Sequence, residues 1–289
     1  MQYALSLPNG GECSDPRILA DLAALAEAAG WDGVLLEDYV VYTNGEYYSV
    51  PGCPTHDTWV LLAAMALRTS RIRLGTAVTP LPRRRPWKLA REALSIDHLS
   101  GGRLVLGVGL GDAGDPGFGR VGETVDTRQR AALTDETLDI LAGLWSGEPF
   151  SYQGKHYKLE EVLFLPKPVQ APCIPIWVGG AWPLKGPVQR AARWDGAMLY
   201  KQPAPDGTWQ DMTPEDVRLL KTTIERQRIA ATPYDIVIGG HQRGDDWEAE
   251  RDHISQVAEA GATWWSEWVP AAPLPTMRAA IERGPLRVQ

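Results

Sequence analysis

The stretch RIRLGTAVTPLPRRRPWKLAREALSIDHLSGGRLVLGVG, residues 71–109, carries one full cycle of the pattern that decides the fold. RIRLGTAV (71–78) is short, apolar and branched, and reads as a buried strand. A helix is predicted over Trp87–Leu99, and RLVLGVG (103–109) is a second strand of the same kind. Strand, helix and strand in that order form a crossover unit, with two parallel strands and a helix covering one face.

The cycle extends in both directions. Tyr3–Leu7 reads as a first strand, and PRILADLAALAEAAG (16–30) follows with proline at a helix start, repeated apolar faces and a glycine stop. Gly33–Glu37 precedes a predicted helix over His56–Arg68, and RLVLGVG precedes one from about Asp126 to Leu144. Four further strands are predicted at Pro175–Val178, Gly196–Tyr200, Tyr234–Ile238 and Thr263–Glu267, with helical stretches near 187–193, 213–230 and 245–260. Eight alternations predict an α/β fold, a (β/α)₈ TIM barrel, over an open doubly wound sheet, which more often stops at five or six strands. The length of 289 residues alone suggests about two domains. The eight units and the absence of a composition shift favour one barrel domain over 1–289 instead. SYQGKHYKLEEVLFLPKP (151–168) breaks the cycle, so 148–170 is expected to be an excursion or hairpin on the barrel rim.

Composition narrows the function classes. Apolar residues at 44% and charged residues at 22% exclude a disordered or collagenous chain. A net charge of −7 argues against general attraction to nucleic acid or anionic lipid. Three widely spaced cysteines, Cys13, Cys53 and Cys173, form neither a disulfide framework nor a metal-ligand pair and fit a reducing compartment. MQYALSLPNGG lacks the basic and apolar regions of a signal peptide, and no run approaches the roughly 20 apolar residues of a membrane span. A cytoplasmic location is expected. Twelve Trp against three Phe raise the prospect of a flat ligand: Trp182 and Trp268 fall near strand exits, whereas Trp31, Trp59, Trp87 and Trp145 read as packing residues.

Barrel active sites lie at the C-terminal strand ends, which directs attention to residues just past each strand. Glu37, Asp38 and Tyr39 leave the second strand, where a carboxylate accepts a proton and a phenol donates to an oxyanion, or both simply serve rim hydrogen bonding. Gly109-x-Gly111-x-x-Gly114 formally matches a dinucleotide fingerprint, but the DPGFG that follows Gly114 should keep the chain in a loop. Gly107, Gly109 and Gly111 either leave room for a planar ring or serve tight turning. IPIWVGG followed by AWPLKGPVQRAARW could cradle a phosphate on backbone amides, or form an ordinary strand-to-helix turn. Arg83, Arg84 and Arg85 offer charge for an anion or a solvated helix-leading face. His56–Asp57 and Asp97–His98 fall in or beside helices at the wrong part of a barrel unit and read as caps or packing, so no metal site is expected. His241 follows the seventh strand, and Ser6 and Ser266 lack a nucleophile elbow.

The chain resembles the bacterial-luciferase-like family of flavin- and F420-dependent oxidoreductases. The stretch 69–112 is the most specific match, followed by FGRVGE, LWSGEPFSYQGKHYKLE, LPKPVQ, IPIWVGG and RAARWDGA. The resemblance implies a TIM barrel holding a flavin or deazaflavin across its mouth, with a non-prolyl cis bond joining Ala77 to Val78. It also implies that Ala77, Val78 and Thr79 support the ring, that Gly107, Gly109 and Gly111 border it, and that Gly179, Gly180, Ala181 and Trp182 hold the phosphate. Many relatives place a histidine after the second strand, where this chain has Asp38 and Tyr39; either these are the catalytic residues, or the chemistry relies mainly on the flavin, with the protein supplying orientation and control of oxygen or solvent. The expected activity is a monooxygenase using reduced FMN and oxygen on a small organic substrate. F420-dependent hydride transfer is the immediate alternative, supported by Arg83–Arg85 because F420 bears more negative charge than FMN, and a non-catalytic flavin-binding protein is the third. A separate flavin reductase or F420 reductase is a candidate partner, and helices on a barrel exterior can form a homodimer, though no sequence pattern defines the interface; charge and composition point to no nucleic acid and no membrane partner. Segments 40–55, 112–125 and 201–212 are expected to shape the substrate pocket, with Tyr42, Tyr47 and Tyr48 in the first.

Overall fold

Parallel strands need crossovers, and each predicted helix supplies one. The computed structural model describes residues 1–43, 53–204, 206 and 208–288, so Tyr47 and Tyr48 lie outside the described residues. Its strands are β1 (Gln2–Leu7), β2 (Gly33–Leu36), β3 (Arg73–Thr76), β4 (Thr79–Pro80), β5 (Leu104–Gly109), β6 (Phe150–Gln153), β7 (Lys158–Val162), β8 (Ile176–Trp182), β9 (Gly196–Lys201), β10 (Asp235–Gly239) and β11 (Trp264–Trp268). Its principal helices are α1 (Pro16–Ala28), α2 (Thr58–Arg68), α3 (Pro86–Ser100), α4 (Pro116–Gly119), α5 (Thr127–Trp145), α6 (Lys185–Ala191), α7 (Pro214–Gln227), α8 (Trp247–Ala260) and α9 (Leu274–Glu282).

The strands run β3-β2-β1-β11-β10-β9-β8-β5, and pairing of β3 with β5 (Leu74 with Leu104, Gly75 with Val105) closes the ring. Every pairing in this ring is parallel. Closure removes the edges that an open doubly wound sheet would keep, so the barrel reading holds. Local chemistry starts the helices: the carboxylates of Asp15, Asp57, Asp126 and Asp246 cap α1, α2, α5 and α8, and Thr213 and Asp216 form a capping box on α7. The Ala77–Val78 bond is cis and separates β3 from β4.

Two helices depart from the sequence expectation. DPGFG contains the single turn α4, because the Asp115 carboxylate accepts from Gly117 N–H and Pro116 occupies the first helical position, where its missing N–H costs nothing. This turn is not the long helix that a dinucleotide fingerprint opens. The other, α9, follows β11; it is short, and its turns pack Met277 and Ile281 inward. The rim excursion contains the antiparallel β6–β7 hairpin. Glu136 of α5 accepts from the amides of Lys155, His156 and Tyr157 at its turn, and buried Asp97 of α3 accepts from Val169, Gln170 and the Gln170 side chain. Asp97 is thus a bracket, as expected of a residue on the helical layer.

Strand alternation divides the apolar residues into two sets. Leu5, Leu36, Leu74, Leu106, Val178 and Ile238 join the large core between barrel and helices. Ala4, Leu35, Val105, Trp177, Val237 and Trp264 form the inner core, with Ala77 and Met198 packed on it. Asp235 pins its floor: Trp264 Nε1 and Thr263 Oγ1 donate to Oδ1 (3.2 and 2.9 Å), and Trp177 Nε1 donates to Oδ2 (3.2 Å). The two indoles meet edge to face at 5.2 Å.

Candidate active site

One further step along the inward alternation from that floor reaches the C-terminal mouth. The residues that follow are Ser6, Glu37, Gly107, Gly179, Tyr200, Gly239 and Ser266, and beyond them Gly109 and Trp268. Most are glycine or serine, so this end of the barrel is lined mainly by backbone and small groups, with one carboxylate, one phenol and one indole.

The glycines have a specific packing reason. A Cβ on Gly109 would lie 2.8 Å from Val78 Cγ2, and one on Gly179 would lie 2.8 Å from Val78 Cγ1. The Val78 side chain therefore occupies the space that side chains on β5 and β8 would need. At Gly107 a Cβ would come within 1.8 Å of the Thr76 carbonyl oxygen, so the two strands approach too closely for any side chain there. Gly111, with φ 72°, stands against the Phe118 ring and Pro80. Ala77 and Val78 themselves stay partly exposed in otherwise buried surroundings and form an apolar shelf, while Thr79 is fully buried beside them. On the opposite wall, Gly180, Ala181 and Trp182 lead into α6. Trp182 turns outward to donate to Asp216 Oδ1 (3.1 Å), beside the Lys201–Asp216 ion pair at 2.9 Å.

The second-strand exit separates three neighbouring residues that look equivalent in sequence. Asp38 is buried and ion-paired: its Oδ1 lies 2.5 Å from Arg84 Nη2 and its carbonyl accepts from Arg83, while its Oδ2, like Glu37 Oε2, is buried with no hydrogen-bond partner among the described residues. Tyr39 is tied through its backbone to fully buried Asn9, and its ring meets Tyr42 edge to face at 5.4 Å. Glu37, one step beyond inward-facing Leu35, accepts a hydrogen bond at Oε1 from Trp268 Nε1 (3.1 Å). Its Oε2 is buried with no hydrogen-bond partner among the described residues. Burial raises the Glu37 carboxyl from 4.5 to about 7, opposed only in part by the Trp268 hydrogen bond. The sequence reading placed Glu37 on the rim but chose Asp38 and Tyr39 as catalytic candidates; the signal that distinguishes Glu37 was its phase with Leu35.

The basic cluster is less available than its sequence suggests. Arg83 pairs with Asp115 at 2.6 Å, both side chains 3% exposed, and stacks over Phe118 at 5.1 Å. Arg84 pairs with Asp38; of the three, Arg85 is the exposed one. Arg83 and Arg84 therefore hold the loop after β4 to the loops after β2 and β5, which removes them as a reason to prefer the more anionic F420. Arg130, which the sequence reading did not single out, donates to the carbonyls of Leu110 and Gly111 and fixes the same loop.

His241 is held between two carboxylates, Asp211 at Nδ1 (2.9 Å) and Glu250 at Nε2 (3.1 Å). Hydrogen bonding and charge from both partners outweigh desolvation and raise it from 6.5 to about 9, so it ties the loop after β9 to α8 as an imidazolium. Asp57 caps α2, and His56 Nδ1 lies 3.1 Å from Ser14 Oγ. Among the described residues, no helix is long and apolar enough to cross a membrane.

A closed eight-stranded parallel barrel whose C-terminal mouth carries glycines, an apolar shelf and a carboxyl with one buried oxygen has the architecture of a barrel enzyme. Residues 3–241 match the model of the luciferase-like monooxygenase family, and the chain belongs to that family. Among curated relatives, an uncharacterized protein of Mycobacterium tuberculosis is 34% identical over 188 residues, covering 61% of this chain and 63% of the relative. The F420-dependent glucose-6-phosphate dehydrogenase of Segniliparus rotundus is 32% identical over 175 residues, covering 58% of this chain and 49% of that protein. The matches thus span about half to just under two thirds of these relatives. Among solved structures, an F420-dependent secondary alcohol dehydrogenase in complex with an F420–acetone adduct superposes with a TM-score of 0.76 at 16% identity, over 97% of each chain. The chain is therefore a member of an oxidoreductase family with flavin- and F420-binding relatives.

Proposed function

We propose that this protein is an F420-dependent oxidoreductase that transfers hydride between the deazaflavin and a small hydroxyl-bearing organic substrate. The observation that carries the reading is its likeness, at 30–32% identity over 173–187 aligned residues, to dehydrogenases named for F420. The mouth fits a flat tricyclic ring on two counts: inward residues at the ends of β3, β5 and β8 are no larger than a methyl apart from Val78, and a buried carboxyl oxygen awaits a donor. In this reading Ala77, Val78 and Thr79 with Gly107, Gly109 and Gly111 support and border the ring. Gly179, Gly180, Ala181 and Trp182 carry the phosphate end, Thr79 and Trp182 acting through backbone because their side chains are buried or engaged. When bound, the deazaflavin supplies a two-electron hydride acceptor or donor. The chain supplies orientation: a rigid shelf fixed by Val78 between Gly109 and Gly179, and a water-poor floor sealed by Trp177 and Trp264.

The second reading is oxygenation with reduced FMN, favoured by the descriptive name of the family. A flavin reductase or an F420 reductase would serve the respective cycle. Titration of purified protein with F420, FMN and reduced FMN, followed by fluorescence, separates the two. Saturable binding of F420 with weak or no FMN binding is expected; tight FMN binding with no F420 binding overturns the proposal.

A further inference from the structure

We infer that Glu37 is the proton acceptor of this site, taking the proton of a substrate hydroxyl at Oε2 while Trp268 holds Oε1. The inference rests on the hydride-transfer reading for its reaction, but its physical basis is independent of any cofactor. A buried acceptor without a donor costs about 1–3 kcal/mol, and such atoms in native proteins call for a ligand or a chemical role. Glu37 Oε2 is such an atom, at the mouth and on the inward face of β2. Its position is fixed from three sides. The Glu37 amide donates to Leu7 O at 3.0 Å, its carbonyl accepts from Thr58 Oγ1 at 2.7 Å, and its Oε1 accepts from Trp268 at the end of β11.

The neighbouring groups are poorly suited to the task. Asp38 is locked to Arg84, and His241 has both ring nitrogens engaged by carboxylates, so moving a proton at either would break an ion pair. Of the nearby charges, Arg84 pairs with Asp38 and Arg83 with Asp115, while the Glu37 carboxyl responds to burial and to the Trp268 indole. A carboxyl held near neutrality in this way exchanges a proton readily at physiological pH.

The step balances as follows. The carbinol carbon of the substrate loses its hydrogen as hydride to the oxidised deazaflavin, and its O–H proton passes to Glu37 Oε2. The C–O single bond becomes a carbonyl, and Glu37 later releases the proton to solvent. Reduction of a carbonyl runs the same step backwards, with protonated Glu37 as the donor.

The test compares wild type with Glu37→Gln and with Trp268→Phe, which leaves the carboxyl but frees it to turn. Two readouts are needed. In the cofactor-free protein, difference infrared spectroscopy should show a protonated carboxylic acid band that is absent in Glu37→Gln and is shifted by added 2-propanol. With F420 bound, single-turnover hydride transfer from a panel of secondary alcohols should fall by about 100-fold or more in Glu37→Gln, with F420 affinity little changed. Trp268→Phe should show a smaller loss. Wild-type turnover in Glu37→Gln, or loss of F420 binding as its main defect, overturns the assignment. A carboxyl band unmoved by the alcohol overturns it independently of the cofactor. If neither protein binds F420, the functional reading fails while a shifted band still upholds Glu37 as the group that receives a hydroxyl.

Discussion

Burial of Glu37 makes a thermodynamic prediction that needs no substrate. In the unfolded chain its carboxyl titrates at the ordinary 4.5, whereas in the barrel it titrates at about 7. Below 4.5 both states are protonated and burial carries no ionisation penalty. As pH rises from 4.5 towards 7, the unfolded state gains charge in water while the folded state holds its proton, so stability declines; above 7 the loss is complete. The two values differ by about 2.5, which at about 1.4 kcal/mol each corresponds to about 3–4 kcal/mol. Partial contact of the side chain with solvent lowers this to about 2–3 kcal/mol. Glu37→Gln removes the ionisation while preserving shape and the acceptor for Trp268. Its amide leaves an unpaired N–H₂ at the Oε2 position, a cost independent of pH. Urea unfolding of both proteins at about pH 5 and about pH 8 cancels that constant. The variant should gain about 2 kcal/mol relative to wild type between the two conditions, with unchanged denaturant dependence. A stability difference between variant and wild type that is the same at both pH values would refute the assignment of a buried, weakly acidic carboxyl.

Other consequences are open to measurement. His241 titrates at about 9 against 6.5, so its stabilisation is complete below 6.5 and disappears as pH rises through 9. His241→Gln should therefore cost about 1–2 kcal/mol near neutrality, discounted for the partly exposed Asp211, and little at higher pH, as read from thermal melts across that range. Asp235→Ala leaves the buried Trp177 and Trp264 indole N–H groups without acceptors and should destabilise by about 2–5 kcal/mol, with a change in near-ultraviolet circular dichroism. Gly109→Ala drives a methyl into Val78 and should cost about 1–3 kcal/mol. Adding Val78→Ala should recover much of that loss, and simple additivity in the double variant would count against the shelf packing.

The sequence by itself determined the order and kind of nearly every element. Apolar runs ending in glycine, the proline starts and the aspartate caps are local signals, read by the same few residues that form each element. β1, β5 and β11 fall within a residue of their predicted bounds, and α3 extends its expected range by one residue at each end. Weak local signals account for the exceptions: α4 is one turn held by a side-chain cap, and α9 carries two inward anchors in nine residues.

The site was legible as a list of strand exits, and the family resemblance narrowed that list. Only the tertiary structure decided what each residue faces. Glu37 and Asp38 are adjacent acids, and a shift of one residue in strand phase would exchange their environments; the ring closure that sets the phase pairs β1 with β2 and β11. The partner that singles out Glu37, Trp268, lies 231 positions away, and Asp235 gathers indoles from two other strands. Arg83 and Arg84 look free in sequence because the carboxylates that engage them, Asp115 and Asp38, arrive on other loops. Periodicity specifies an element's type through neighbours a few residues apart, whereas a buried charge or an orphaned oxygen is defined by what barrel closure places beside it.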